Sequence, residues 1–247
     1  MTLLSHRLPR LFVERDLDGA SATLDEQEAH YLGNVLRLGR GDQLIAFNGR
    51  GAERHASIES VQRRGAVLEL AAALSPLPES PLDLTLVQAL PKSDAMDLIV
   101  QKATELGVRT LVPVHTEFSV VKLDAERSER RSLHWRKVAQ SACEQCGRHR
   151  PLRIEAAAPL AAGLELVAAV GTRLALEPSA ERSLKEIEPP SQGLAIAIGP
   201  EGGFGATDLR RLDAAGFTRV TFGRRVLRAE TAAIAVSAIA ASLWGDL

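Results

Sequence analysis

Two segments carry residue types that could do chemistry: Ile198-Gly199-Pro200-Glu201-Gly202-Gly203-Phe204-Gly205 and, further along, Leu227-Arg228-Ala229-Glu230-Thr231-Ala232. The first has glycine at four of the seven positions after Ile198. Its backbone can therefore turn through positive φ and approach a ligand with no Cβ in the way. A P-loop needs Gly-Lys-Ser/Thr after its glycines, and the dinucleotide fingerprint needs Gly-x-Gly-x-x-Gly near the first strand of a βαβ unit. Here Pro200-Glu201 follows Gly199, and the loop lies late in the chain. Glu201 would repel a phosphate, so a ligand without phosphates, or one carrying positive charge, suits the loop better. A tight turn with no ligand is the competing reading. In the second segment Thr231 is the expected N-cap of an apolar helix, which leaves Arg228 and Glu230 just outside it. They could point into the same crevice or form an ion pair that shapes the turn.

The elements that must hold these loops follow from periodicity. The continuous apolar run Leu194-Ala195-Ile196-Ala197-Ile198 is expected to be a strand buried on both faces of a parallel sheet. The glycine loop then sits at its carboxyl end, where ligands bind in open α/β sheets. Strands at 82–90, 111–114, 152–155, 173–176 and 219–222 alternate with helices at 94–106, 125–145, 161–170 and 207–215, the pattern of a parallel sheet covered on both faces. Ser93 is the expected N-cap of the first of these helices. The final helix, 231–244, is apolar nearly all round, so it must be buried on more than one side, in the domain or in a homodimer interface. Before the proline-rich joint at 75–81, strands at 44–47, 56–61 and 66–70, an Asn48-Gly49 turn and a short helix at 24–36 suggest a small barrel. The resulting division is 1–74, linker 75–81 and 82–247.

Composition sets the outer limits. The 247 residues are 45% hydrophobic and 25% charged, which excludes a wholly disordered chain. Aromatics are only 4%, so aliphatic side chains fill the core. No signal peptide is visible, and the longest apolar stretch is shorter than the roughly 18–20 residues a bilayer requires, so a soluble cytoplasmic protein is expected. A formal net charge of −1 neither supports nor excludes a nucleic-acid partner, because local basic groups such as the arginines within 127–153 and 219–228 can hide in a neutral total. Cys143-Glu144-Gln145-Cys146 is the only cysteine pair; it has too few neighbouring ligands for zinc and falls near the end of an expected helix, so two reduced thiols and no metal are expected.

Taken together and in order, these motifs resemble the ribosomal RNA small subunit methyltransferase E family of the SPOUT superfamily. Further segments agree: Lys92-Ser93-Asp94-Ala95-Met96-Asp97, Gln101-Lys102-Ala103-Thr104-Glu105-Leu106-Gly107-Val108, Ser119-Val120-Val121-Lys122, Glu144-Gln145 with Arg148, and His30 with Val35-Leu36-Arg37. The resemblance covers essentially the whole chain. It implies an N-terminal PUA-like β-barrel that helps bind RNA and a C-terminal α/β domain with a deep trefoil knot. It also implies methyl transfer from S-adenosylmethionine to N3 of a uridine in 16S ribosomal RNA, by a homodimer. The implied cofactor residues are Leu176, Glu177, Gly199, Pro200, Glu201, Gly202, Gly203, Phe222, Gly223, Leu227, Arg228, Thr231 and Ala232. Arg228, Glu230 and Glu201 are the candidates for the chemistry, Arg228 by stabilising negative charge on the base and the carboxylates by accepting a proton or orienting Arg228. His6, Arg7, Arg10, Arg37, Lys92 and Arg148 are assigned to RNA. Three departures stand out: Phe118 where the family usually has arginine, the two cysteines, and Gly205 in place of a capping serine with Asp208 as the acid of the box. A non-catalytic RNA-binding protein, a SPOUT enzyme acting on another RNA site and, more distantly, a nucleotide-dependent oxidoreductase are the alternatives.

Overall fold

The computed structural model describes residues 8–92, 95–119, 125–221 and 223–247. His6, Arg7, Ser93, Asp94, Val120, Val121, Lys122 and Phe222 lie outside the described residues. The chain divides into two compact units, Met1–Glu79 with Cys143–Pro151 and Ser80–Ala142 with Leu152–Leu247.

The first unit is built on a five-stranded sheet of β1 (Arg10–Phe12), β2 (Ser21–Leu24), β3 (Gln43–Phe47), β4 (Glu53–Gln62) and β5 (Gly65–Ala73), in the order β1-β3-β4-β5-β2. Only β1 and β3 run parallel; the other pairs are antiparallel. Periodicity finds β3, β4 and β5 but not β1 and β2, which are three and four residues long and too short to show alternation. The expected single helix at 24–36 is instead α1 (Glu26–His30) followed by a wider π turn over Tyr31–Val35. Asp25 and Glu28 form a capping box at its start, each side chain accepting the other's backbone N–H at 2.8 Å. Leu11, Leu24, Leu32, Leu44, Ile58 and Leu68 form the core.

Residues 143–151 join this unit through polar contacts. Glu144 accepts the Phe12 N–H at 2.9 Å and the Tyr31 hydroxyl at 2.6 Å. Burial pushes its pKa above the usual carboxylate value, and those two donors pull it partly back. Cys143 is buried and its thiol is pushed up to about 12 by burial, which keeps it protonated and unreactive.

The second unit holds the parallel sheet that the sequence requires. Its strands are β6 (Leu84–Ala89), β7 (Thr110–His115), β8 (Arg153–Ile154), β9 (Ala158–Pro159), β10 (Thr172–Leu176), β11 (Leu194–Ile198) and β12 (Thr218–Val220), in the order β12-β10-β11-β6-β7-β8 with β9 also pairing β7. Alternate residues of each strand face opposite layers. Leu84, Leu86 and Ile196 pack under α2 (Ala95–Glu105), α3 (Ala125–Cys146, within this unit up to Ala142) and α6 (Ala229–Trp244). Val87, Val112 and Ala197 pack under α4 (Leu160–Glu165) and α5 (Ala206–Ala214). Helix α4 is shorter than the expected 161–170, because tight turns (Val167 N–H to Leu164 C=O, Ala168 N–H to Glu165 C=O) take over where the chain bends back toward β10. Among the described residues no helix is long and apolar enough to cross a membrane.

Candidate active site

A cavity of about 460 Å³ opens at the carboxyl ends of β10, β11 and β12, where the sheet geometry predicts a ligand. Its walls are Leu176-Glu177-Pro178 after β10, the glycine loop 199–203 after β11, and Val220 and Thr221 at the end of β12 with the segment beyond them. Its floor is the apolar face of α6: Ala232, Ala235 and Ile239, at helical spacing. Glu177, Glu201 and Arg225 supply its charged groups.

The glycine loop is tight for reasons visible atom by atom. The Gly203 N–H donates to the Pro200 carbonyl at 2.8 Å, and Gly203 takes φ +71°, a conformation that disfavours any side chain. A Cβ on Gly199 would lie 3.0 Å from the Gly203 carbonyl carbon and 3.2 Å from the Phe204 nitrogen, so the loop closes on its own first residue. Glu201 fastens the loop to the end of β6's connection, its carboxylate accepting the Lys92 N–H at 3.0 and 3.3 Å. A positioning role for Glu201 follows from this contact, alongside the chemical one expected from its type.

Past the loop, Gly205 is the N-cap of α5, as expected, and Asp208 accepts its N–H at 3.3 Å. A glycine has no side chain to cap the next N–H groups. That function comes from another loop: Glu117 accepts the Thr207 N–H at 3.4 Å, while Asp208 accepts the Glu117 N–H at 2.9 Å. Asp208 is 1% exposed, so this reciprocal pair ties the loop after β7 to the start of α5. Glu117, which no helix or strand pattern marks, thus supports the site together with Asp208, expected as the acid of the capping box; their pairing is non-local and leaves no sequence signal.

Helix α6 begins earlier than Thr231. Its N-cap is Arg228, whose backbone carbonyl accepts the Ala232 N–H at 2.8 Å while its side chain makes no cap, so the expected Thr231 cap is corrected. Glu230 therefore lies in the first turn, where a carboxylate complements the positive end of the helix. Arg228 is exposed, and among the described residues no ion pair joins it to Glu230.

Of the residues assigned to the cofactor, Leu176, Glu177, Gly199, Pro200, Glu201, Gly202, Gly203, Gly223, Leu227 and Ala232 are brought together around the cavity. Arg228 and Thr231 are not among its lining, although Leu227 and Ala229 on either side of Arg228 are. Arg225, Val226, Ala235 and Ile239 line it without having been anticipated. The 219–228 arginine cluster was the available signal for Arg225; an all-round apolar helix offered none for Ala235 and Ile239. Of those assigned to RNA, Arg37 and Lys92 are exposed, Arg37 with a left-handed backbone at φ 57°. Arg10 is largely buried against Glu53, lies 4.5 Å over the Phe47 ring and donates to the Arg148 carbonyl at 3.2 Å. Arg148 pairs with Glu79 at 2.6 Å.

Residues 78–241 match the RNA methyltransferase domain family, and residues 24–71 match the RNA methyltransferase PUA domain. Fold and site thus define an RNA methyltransferase with a PUA-like amino-terminal domain, the α/β class of the SPOUT enzymes. A ribosomal RNA small subunit methyltransferase E from Neisseria gonorrhoeae, solved bound to S-adenosyl methionine, is similar at 31% identity with a TM-score of 0.90, over 98% of this chain and 100% of that one. A Legionella pneumophila protein solved in complex with SAM gives 34% identity and a TM-score of 0.92, over 98% of this chain and 100% of that one. The ribosomal RNA small subunit methyltransferase E of Bacillus subtilis is 31% identical over 222 residues, 86% of this chain and 87% of its own. The chain belongs to the ribosomal RNA small subunit methyltransferase E family.

Proposed function

We propose that this chain binds S-adenosylmethionine in the glycine-loop cavity and methylates N3 of a uridine in 16S ribosomal RNA. The cavity's charge inventory carries the reading. Two carboxylates, Glu177 and Glu201, and one guanidinium, Arg225, stand around an apolar floor. S-adenosylmethionine has the complementary set: a sulfonium, an ammonium and a carboxylate, joined to an adenosine that an apolar floor suits. The glycine backbone admits the ligand closely, and nothing in the loop is arranged for phosphates.

When bound, the cofactor supplies an activated methyl carbon and a neutral leaving group. The protein must then hold N3 in line and favour loss of its proton. Ala229, at the amino end of α6, lines the cavity, which supports a role for the first N–H groups of that helix and for the exposed Arg228 in stabilising the uracil as it becomes anionic. Glu230, half-buried one residue on, is the candidate to take the proton, although it is not among the residues that line the cavity. The exposed Arg37 and Lys92 offer charge to the RNA, and Arg10 and Arg148 act from within ion pairs; His6 and Arg7, outside the described residues, are assigned to RNA by resemblance alone. On this reading 1–74 is the RNA-binding module, 75–81 the joint and 82–247 the methyltransferase domain, with a deep trefoil knot. The enzyme works in the cytoplasm as a homodimer through that domain; Leu243 of α6, half exposed, is consistent with an unfinished interface.

Calorimetry with S-adenosylmethionine, then methylation of small ribosomal subunits and of naked 16S RNA with labelled cofactor and nucleoside mapping, tests this. The expected product is 3-methyluridine. Absent cofactor binding or a different methylated nucleoside would refute it.

A further inference from the structure

We propose that Phe118 is a stacking platform for a base of the RNA substrate at the mouth of the cavity, an inference that rests on the function above. Phe118 is 47% exposed, and no other aromatic residue among those described is exposed to that degree. Its ring stands against the glycine loop: a Cβ on Gly202, which lines the cavity, would lie 3.3 Å from Phe118 Cβ and 3.5 Å from Cδ2.

The ring is held in place. The turn that carries it is closed by the Ser119 N–H on the Thr116 carbonyl at 3.1 Å and by the Thr116 and Ser119 hydroxyls at 2.9 Å. The Glu117 N–H, one residue before the ring, is bound to the buried Asp208. The backbone that carries the ring is thus fixed beside the cavity, and the surroundings select the occupant. Glu117, Glu201, Gly202 and Lys92 are all exposed, so among these described neighbours the ring has no apolar surface around it. A protein partner, including a second copy of this chain, needs a contiguous apolar patch. A nucleobase needs one ring face, and RNA recognition commonly splays bases onto aromatic side chains. The two carboxylates nearby are each engaged by a backbone N–H, Glu117 by Thr207 and Glu201 by Lys92, which suits a neutral base better than a phosphate.

Steady-state methylation of small subunits by Phe118→Ala, Phe118→Leu and Phe118→Trp, with calorimetry for S-adenosylmethionine and sedimentation for oligomeric state, tests this. Phe118→Ala is expected to raise KM for RNA about tenfold, toward the lower end of what one base–aromatic stack contributes. Phe118→Leu keeps the packing on Gly202 without a π face and should fail similarly, whereas Phe118→Trp should restore KM. Cofactor affinity should stay within about twofold, since a stacking role leaves the loop intact. Wild-type KM in Phe118→Leu, cofactor affinity falling in step with RNA, or a changed oligomeric state would each overturn the assignment. No transfer by the unaltered protein would remove the proposed function and this inference with it, an outcome distinct from an active enzyme indifferent to position 118.

Discussion

Of the four described glycines that border the cavity, Gly199, Gly203 and Gly223 differ in what an alanine would meet there. At Gly199 the added methyl would contact Gly203 C, Gly203 Cα and Phe204 N at 3.0, 3.1 and 3.2 Å, all backbone atoms of the loop that Gly203 and Pro200 close. Backbone cannot swing aside like a side-chain tip, so Gly199→Ala should cost the roughly 1–3 kcal/mol typical of overpacking. At Gly203 there is open space but φ is +71°, so Gly203→Ala should cost about 1–2 kcal/mol of conformational strain alone. At Gly223 nothing lies within 4 Å and φ is not in the left-handed region, so Gly223→Ala should leave folding unchanged. For a chain of this size about 2–4 °C of Tm accompanies each kcal/mol. Scanning calorimetry of the ligand-free proteins should then give a loss of about 2–12 °C for Gly199→Ala, about 2–8 °C for Gly203→Ala and under about 1 °C for Gly223→Ala. Isothermal titration should show Gly199→Ala binding S-adenosylmethionine about tenfold more weakly for each 1.4 kcal/mol of distortion that binding must reverse. If Gly223→Ala melts as low as Gly199→Ala, or Gly199→Ala matches wild type in both measurements, the account of the loop is wrong.

Arg10→Ala should lower Tm, because it strands the nearly buried Glu53 carboxylate at a cost of about 3–5 kcal/mol; Arg10→Met with Glu53→Met should recover most of that, and denaturant titration measures both. Glu144→Gln tests the pH dependence. A folded pKa raised above 4.5 gives stability that is fully present below that value and lost as pH rises through the folded pKa. The neutral glutamine should therefore flatten the pH–stability profile on that flank and match or exceed wild type at pH 7, where a steeper profile would contradict the burial argument. Cys143 should resist iodoacetamide at pH 8 in the folded protein, its thiolate fraction being only ~10⁻⁴, and react once unfolded; mass spectrometry of native and denatured samples distinguishes these. Its stabilising contribution is present below pH 9.0 and lost as pH climbs toward about 12.

Where apolar pattern and loop chemistry agree, the sequence sufficed. The run 194–198 is β11 to the residue, and the glycines after it line the cavity, because a strand buried on both faces must be uniformly apolar and its loop must turn at once. Elsewhere a strong local cue misled: Thr231 is a good capping residue, yet α6 starts at Ala229 because the chain adopts the extended cap geometry at Arg228, φ −64° and ψ 155°. β1 exists through its pairing with β3 rather than through its own three residues. Glu117 and Asp208 meet across ninety-one positions of sequence, a distance no periodicity spans. Family resemblance pointed to residues such as Leu176 and Glu177 that line the cavity and that local spacing could not single out, but it did not indicate Arg225, Ala235 or Ile239, which only the packed helix and the turn after β12 bring there.

Among the described residues, all that line the cavity lie between Leu176 and Ile239, so the pocket is complete only once the last strands and α6 are in place. The sheet's central strand, β6, is made long before that, but α6 supplies the floor last. A ligand held at a hundred times its dissociation constant adds about 2.7 kcal/mol to whatever can bind it. That increment reaches only polypeptides that carry α6. Ligand binding and the docking of this one helix on the sheet are thereby coupled: whatever loosens α6 weakens binding, and a bound ligand holds α6 down.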